Sequence, residues 1–203
     1  MTMRSFIGLD LSAQSKLALE HWREKSLPAQ PASHMRNANQ PKVPVRQPKS
    51  VPAANFHITL CFLGNINSRQ HEAIITALGN IAAAPFEVTL DTTAYWQGPN
   101  ILLAAPSAPP AGLMELAASV NTAARQADIE VERRDYRPHV TLIRNTKADY
   151  PPPLVAPQIT CQFSHFHLFE SVSTPSGVRY PVRHSWPLLN PSSVREKLQR
   201  GQF

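Results

Sequence analysis

Two short runs constrain this chain more than anything else in it. Phe56-His57-Ile58-Thr59-Leu60 and Pro138-His139-Val140-Thr141-Leu142 repeat one grammar: a histidine, a branched apolar residue, a threonine, then a leucine. Each lies among β-forming residues and reads as a strand. Side chains alternate across a strand, so His57 and Thr59 share one face while Ile58 and Leu60 point the other way, into a core. His139 and Thr141 stand in the same relation to Val140 and Leu142. Two imidazole-plus-hydroxyl pairs on buried-backed strands imply a two-fold-like site with one histidine from each half.

The order of elements carries the same duplication. Arg4 to Leu11 reads as a strand and Ser12 as the cap of a helix that ends near Ser26, with Leu17, Leu19, Trp22 and Leu27 as its apolar stripe. A strand at 101–105, a helix at about 111–127 and the second motif strand, Tyr136 to Arg144, repeat the sequence strand, helix, motif strand. Between the copies, Ser68 is expected to cap a helix running to about Ala83. Phe86 to Trp96 alternates as one strand, and Gln97-Gly98-Pro99-Asn100 turns it back. Beyond Pro151-Pro152-Pro153, two more strands are expected, at Gln158 to Ser171 and Val178 to Trp186. Residues 188–203 read as a tail, with Ser192 capping a short helix.

One stretch breaks the pattern. Residues 28–54 hold six prolines together with Arg36, Lys42, Arg46 and Lys49. Such a segment excludes a helix or a central strand. It reads as a surface loop within a single two-lobed domain spanning 1–203, and its basic side chains lead straight into His57, where they could meet RNA phosphates.

Composition narrows the partners. The chain of 203 residues carries a formal charge of +6 with histidine neutral, which favours a polyanionic partner. Two cysteines, Cys61 and Cys161, are too few for a disulfide framework and fit a reducing compartment. Cys61 falls on the same face as Thr59 if the strand is regular, and reads as packing. No apolar run approaches the ~18 residues of a membrane helix and no leader h-region opens the chain. A cytoplasmic monomer without membrane attachment is expected.

Three chemistries compete for the two histidines. A metal centre lacks further ligands in register, since threonine at i+2 is a poor one, and no cofactor or metal is expected. A serine or cysteine nucleophile lacks an elbow motif and a positioned base. Acid–base attack on a phosphodiester fits best, because two imidazoles can divide the jobs of base and acid at neutral pH. Thr59 and Thr141 could donate to the non-bridging oxygens. Arg144 could add a cationic fork for phosphate, although a regular strand turns it away from His139 and a bend after Leu142 is required. His165 and His167 also share a face, but without a threonine partner they read as ordinary surface or core histidines.

The runs 56–64 and 137–144 resemble the paired His-x-Thr motifs of the two-histidine phosphoesterase superfamily, and within it the RNA 2',3'-cyclic phosphodiesterases, also called 2'-5' RNA ligases. Phe6 to Leu11 is similar to that family's opening strand, and Leu168 to Ser171 with Gly177 and Tyr180 to its last hairpin. The resemblance implies a bilobed α+β fold, two pseudo-symmetric β-α-β lobes whose mostly antiparallel sheets line a central cleft. It also implies metal-free opening of 2',3'-cyclic phosphate ends of RNA to 2'-phosphates. His57 would then be the general acid, His139 the general base, and Arg144 the arginine after the second motif, with ATP-independent 2'-5' joining as the reverse reaction. A silent module that binds RNA ends, and a phosphodiesterase for 2'-5' oligonucleotides or small cyclic nucleotides, remain open at this point.

Overall fold

The computed structural model describes residues 2–27, 47–132, 134–146, 151–175 and 177–190. Most of the proline-rich loop, residues 28–46, and the terminal segment 191–203 lie outside the described residues, as do the readings attached to them.

The chain opens with β1 (Thr2–Asp10) and α1 (Ala13–Ser26). Ser12 caps α1 as expected, its hydroxyl accepting from the Ser15 N–H at 3.1 Å. The stripe is less regular than the sequence suggests: Leu19 is fully buried, but Leu17 is 65% exposed. The end of the proline-rich segment is built into the fold. It forms the two-residue edge strand β2 (Lys49–Ser50) and a 3-10 turn at Ala53–Asn55. An edge position is where a proline-flanked strand can survive.

The first motif strand is β3 (His57–Asn67), followed by α2 (Ser68–Gly79). Asn67, not Ser68, is the cap; it exchanges hydrogen bonds with Gln70 in a capping box. The single strand expected over Phe86 to Trp96 is two, β4 (Phe86–Leu90) and β5 (Thr92–Trp96). They part at Asp91, whose carboxylate accepts from both the N–H and the hydroxyl of Ser107 at 2.6 Å. Then come β6 (Ile101–Ala105), α3 (Ala111–Gln126) and the second motif strand β7 (Val140–Arg144). The last stretch divides further, into β8 (Ile159–Phe163), β9 (His165–Glu170), β10 (Val172–Thr174), β11 (Gly177–Arg179) and β12 (Val182–Pro187).

Those extra breaks have a topological reason: they are where the chain changes sheet. One four-stranded sheet has the order β12-β9-β1-β3 and the other β2-β7-β6-β5, all antiparallel, while β4 pairs with β8 as a separate ribbon. Each motif strand pairs with the strand that opens its own repeat, β3 with β1 and β7 with β6. The fold is therefore α+β, with one duplicated strand-helix-strand unit per sheet. A continuous core of leucine, isoleucine, valine and phenylalanine runs through it. The crossover helix of the second repeat, α3, packs on β3 of the first.

Candidate active site

Both motif strands carry the same irregularity at the same place. In β3, Ile7 pairs with Cys61 and Gly8 with Thr59, which leaves Leu60 as an extra residue. In β7, Leu102 pairs with Ile143 and Leu103 with Thr141, which leaves Leu142 as the extra one. Each is a β-bulge, and a bulge resets the alternation of faces. The consequence is one burial pattern shared by 57–62 and 139–144: half-buried histidine, buried apolar, half-buried threonine, two buried apolar residues, then an exposed one.

The exposed residue after the bulge is Phe62 in the first repeat and Arg144 in the second. The bend that Arg144 needs in order to face the same way as His139 is thus present. Its charge acts on both His57 and His139. The same bulge removes the regular alternation on which a shared face for Cys61 and Thr59 depends, and leaves the packing reading of Cys61 in place. Instead of sharing the face of Thr59, Cys61 turns inward beside Ile7, is buried, and has its thiol pushed up to about 12 by that burial. A thiol so hard to ionise is inert packing.

The two imidazoles are oriented in parallel ways. His57 donates from Nδ1 to the carbonyl of Asn55 at 2.7 Å, and His139 from Nδ1 to the carbonyl of Arg137 at 2.8 Å. A carbonyl can only accept, so Nδ1 carries a proton in both rings and Nε2 is left for the ligand. Neither the Thr59 nor the Thr141 hydroxyl makes a hydrogen bond among the described residues, which leaves both available as donors.

Their surroundings differ. His57 sits among aromatic rings, 4.7 Å from Phe6, 5.0 Å edge-to-face from Tyr180 and 5.9 Å from Phe169, centroid to centroid. Burial pushes it down to about 4; its bond to Asn55 opposes that shift, and the charges of Arg144, His139 and Lys16 reinforce it. His139 packs against Trp96 at 4.4 Å and is lowered by burial, with Arg134 and Arg144 contributing. Beside His139 opens a cavity of about 540 Å³, lined by Thr59 and Phe62 of β3, Trp96 of β5, Asn121 of α3, and Arg134 and Arg137, with Tyr95 also bordering it.

This cleft, with a repeated strand on each wall, matches the LigT-like phosphoesterase family model twice, over residues 28–102 and 103–180, so that each match holds one motif strand. The chain belongs to the LigT-like phosphoesterases. Against a LigT-like relative, the RNA 2',3'-cyclic phosphodiesterase of Escherichia coli K12, it is 26% identical over 185 residues, 91% of this chain and 96% of that one. The structure of Escherichia coli LigT complexed with 3'-AMP superposes with a TM-score of 0.78 at 26% identity, over 94% of this chain and 100% of that one. A Thermus thermophilus protein superposes at 0.70 with 25% identity, over 93% and 100%.

Of the five residues expected from the sequence, Thr59 and His139 line the cavity. His57 and Arg144 lie outside its lining but within charge range of His139 and of each other. Thr141 repeats on β7 the position that Thr59 holds on β3. The structure also adds residues that sequence reasoning misses. Trp96 reads in the sequence only as the end of a strand, and Phe6 as part of an opening strand; rings that pack on a histidine from a distant element leave no local signal. His167 also proves to lie on the cleft-side face, with the Phe169 ring 5.7 Å from its own and 5.9 Å from that of His57. It bonds through Nδ1 to the Ser185 hydroxyl at 2.8 Å.

Proposed function

We propose that this LigT-like phosphoesterase opens 2',3'-cyclic phosphate ends of RNA or nucleotides to 2'-phosphates by two-histidine acid–base catalysis that needs no metal. The observation that carries the reading is the paired geometry: two imidazoles, each held through Nδ1, each with a free Nε2 and an unengaged threonine hydroxyl on the same face. The phosphate would lie between them, its non-bridging oxygens receiving Thr59, Thr141 and Arg144 as negative charge builds in the transition state. His139, neutral in the free protein, would take a proton from the attacking water.

His57 would protonate the leaving 3' oxygen. An imidazole with a pKa near 4 is uncharged in the empty site. A phosphate anion against Nε2 favours its protonated form, and that proton can pass to the departing alkoxide, a far stronger base than imidazole. The acid would thus be charged when substrate is present. The cavity beside His139 offers aromatic walls and the guanidinium groups of Arg134 and Arg137, a setting suited to a nucleoside. Ligation would be the same steps with a 5'-hydroxyl in place of water: its oxygen attacks phosphorus as His139 takes its proton, and the 3' oxygen leaves with a proton from His57.

The test is turnover of a 2',3'-cyclic mononucleotide in EDTA, followed by phosphorus NMR. The expected product is the 2'-phosphate, and His57→Ala and His139→Ala should each lose about 10²–10⁴ in rate. Dependence on added metal, a 3'-phosphate product, or a His57→Ala variant with full activity would each overturn the reading.

A further inference from the structure

A β-bulge takes a residue out of the regular ladder, so its backbone groups need partners from elsewhere. Both bulge carbonyls find one, and in each case it comes from the other repeat. Arg23 on α1, only 7% exposed, reaches β7. Its Nη1 donates to the carbonyl of Val51 and, at 3.4 Å, to that of Leu142, the extra residue of the β7 bulge. The Leu142 carbonyl also accepts from the Val51 N–H at 2.9 Å. The same guanidinium lies 5.3 Å over the ring of Phe56, the residue before His57, and pairs with Glu20 at 3.3 Å.

Asn121 on α3 does the converse. Its Nδ2 donates to the carbonyl of Leu60, the extra residue of the β3 bulge, at 3.4 Å, and to the Ala117 carbonyl at 2.8 Å. Its Oδ1 accepts from the Cys61 thiol at 3.5 Å.

We propose that Arg23 and Asn121 are positioning residues that brace the two bulges crosswise, the helix of each repeat holding the motif strand of the other. Arg23 lies outside the cavity lining, whereas Asn121 borders it from α3, next to the strand it braces. They act on the residues beyond each bulge: with Leu142 held out of the ladder, Arg144 faces the two histidines, and with Leu60 held out, Phe62 faces the cavity. A strand that regained regular pairing would turn each of these to the core side, because a one-residue shift reverses every side chain beyond it. Arg23 also touches the approach to His57 through Phe56, so the orientation of one motif is tied to the register of the other. The proposal rests on the role given to Arg144 under the proposed function.

A double-mutant cycle tests it, measured on the full chain with a 2',3'-cyclic mononucleotide. Arg23→Met should lower kcat/KM by on the order of 10–100-fold, the scale of a catalytic group displaced by a fraction of a bond length or more. In an Arg144→Ala background it should add less than about threefold, because the group it positions is gone. Arg23→Lys, which keeps one donor, should recover part of the loss. Full multiplication of the two losses, or wild-type kcat/KM in Arg23→Met, overturns the proposal. If Arg23→Met does not fold, Arg23→Lys enters the cycle in its place. Asn121→Leu gives the matching test with Phe62→Ala, read in KM. Inorganic phosphate separates the two levels of inference: if the wild type does not turn over the cyclic substrate, the proposed function fails. The brace still stands or falls on whether Arg23→Lys weakens phosphate binding in the presence of Arg144 and not in its absence.

Discussion

The indole of Trp96 packs on the imidazole of His139 with ring centroids 4.4 Å apart and planes inclined by 57°. It comes from the end of β5, two strands away from β7 through β6, and packs against the ring whose Nδ1 bonds to the carbonyl of Arg137. Trp96→Leu should lower kcat by up to about 10²-fold, the scale of a misaligned catalytic group. Trp96→Phe, which keeps a flat face, should retain most of it. Steady-state kinetics on the two variants decide the point, and equal losses would mean that the ring does not orient His139.

The pH dependence has a definite sign. Both histidines are lowered from 6.5 in the free protein. The kcat/KM profile reports the free enzyme, so its optimum should lie on the acid side of 6.5. The kcat profile reports the bound state, where phosphate favours the protonated rings, and should be displaced toward higher pH. Coincident profiles would contradict the protonation of His57 by substrate.

The same shift bears on stability. His57 falls from 6.5 to about 4 on folding. Above pH 6.5 the ring is neutral in both states and the folded form loses nothing. As pH falls from 6.5 toward 4, the unfolded chain takes up a proton that the folded one refuses. Stability should therefore decline across that window by up to about 3 kcal/mol, at about 1.4 kcal/mol per unit. Urea midpoints at pH 7 and 4.5 should show the loss, and His57→Gln should reduce it.

Tyr136 buries its hydroxyl without a hydrogen-bond partner among the described residues. Burial alone raises its pKa. Removing an unsatisfied hydroxyl relieves a desolvation penalty, so Tyr136→Phe should stabilise the protein by about 1 kcal/mol. Calorimetry should find Tm higher by roughly 2–4 °C for a chain of this size. A lower Tm would show that the hydroxyl is satisfied in solution.

Gly8 is needed for close approach. A Cβ there would stand 2.8 Å from the carbonyl of Ile58 and within 3.5 Å of the Phe6 and Phe169 rings. Gly8→Ala should cost about 1–3 kcal/mol. Because Ile58 lies between His57 and Thr59, it should lower kcat as well. A variant with unchanged Tm and kcat would contradict this.

The motif strands, the three helices and the repeat are legible in the sequence because each is written locally, in a period or a cap. The sheet changes at Asp91 and Ser164 are not: β-forming residues continue through both, and only the distant partners β8 and β12 show that the chain has switched. The bulges are half legible. Arg144 requires one after Leu142, but nothing in Leu60-Cys61-Phe62 asks for its twin, and regular alternation therefore puts Cys61 on the wrong face. Arg23 escapes notice because an arginine in an amphipathic helix ordinarily faces water, and its partners lie 28 and 119 residues away.

The first sheet takes β1 and β3 from the start of the chain and β9 and β12 from its end. During synthesis, which proceeds from the N-terminus, His57 emerges long before Phe169 and Tyr180, the rings that will enclose it. The second sheet, drawn from residues 49–144, can close while the first still lacks half its strands. The wall nearest the beginning of the polypeptide is thus the last to be finished, and a chain that stops short of β9 has both motifs but lacks the Phe169 and Tyr180 rings that pack on His57.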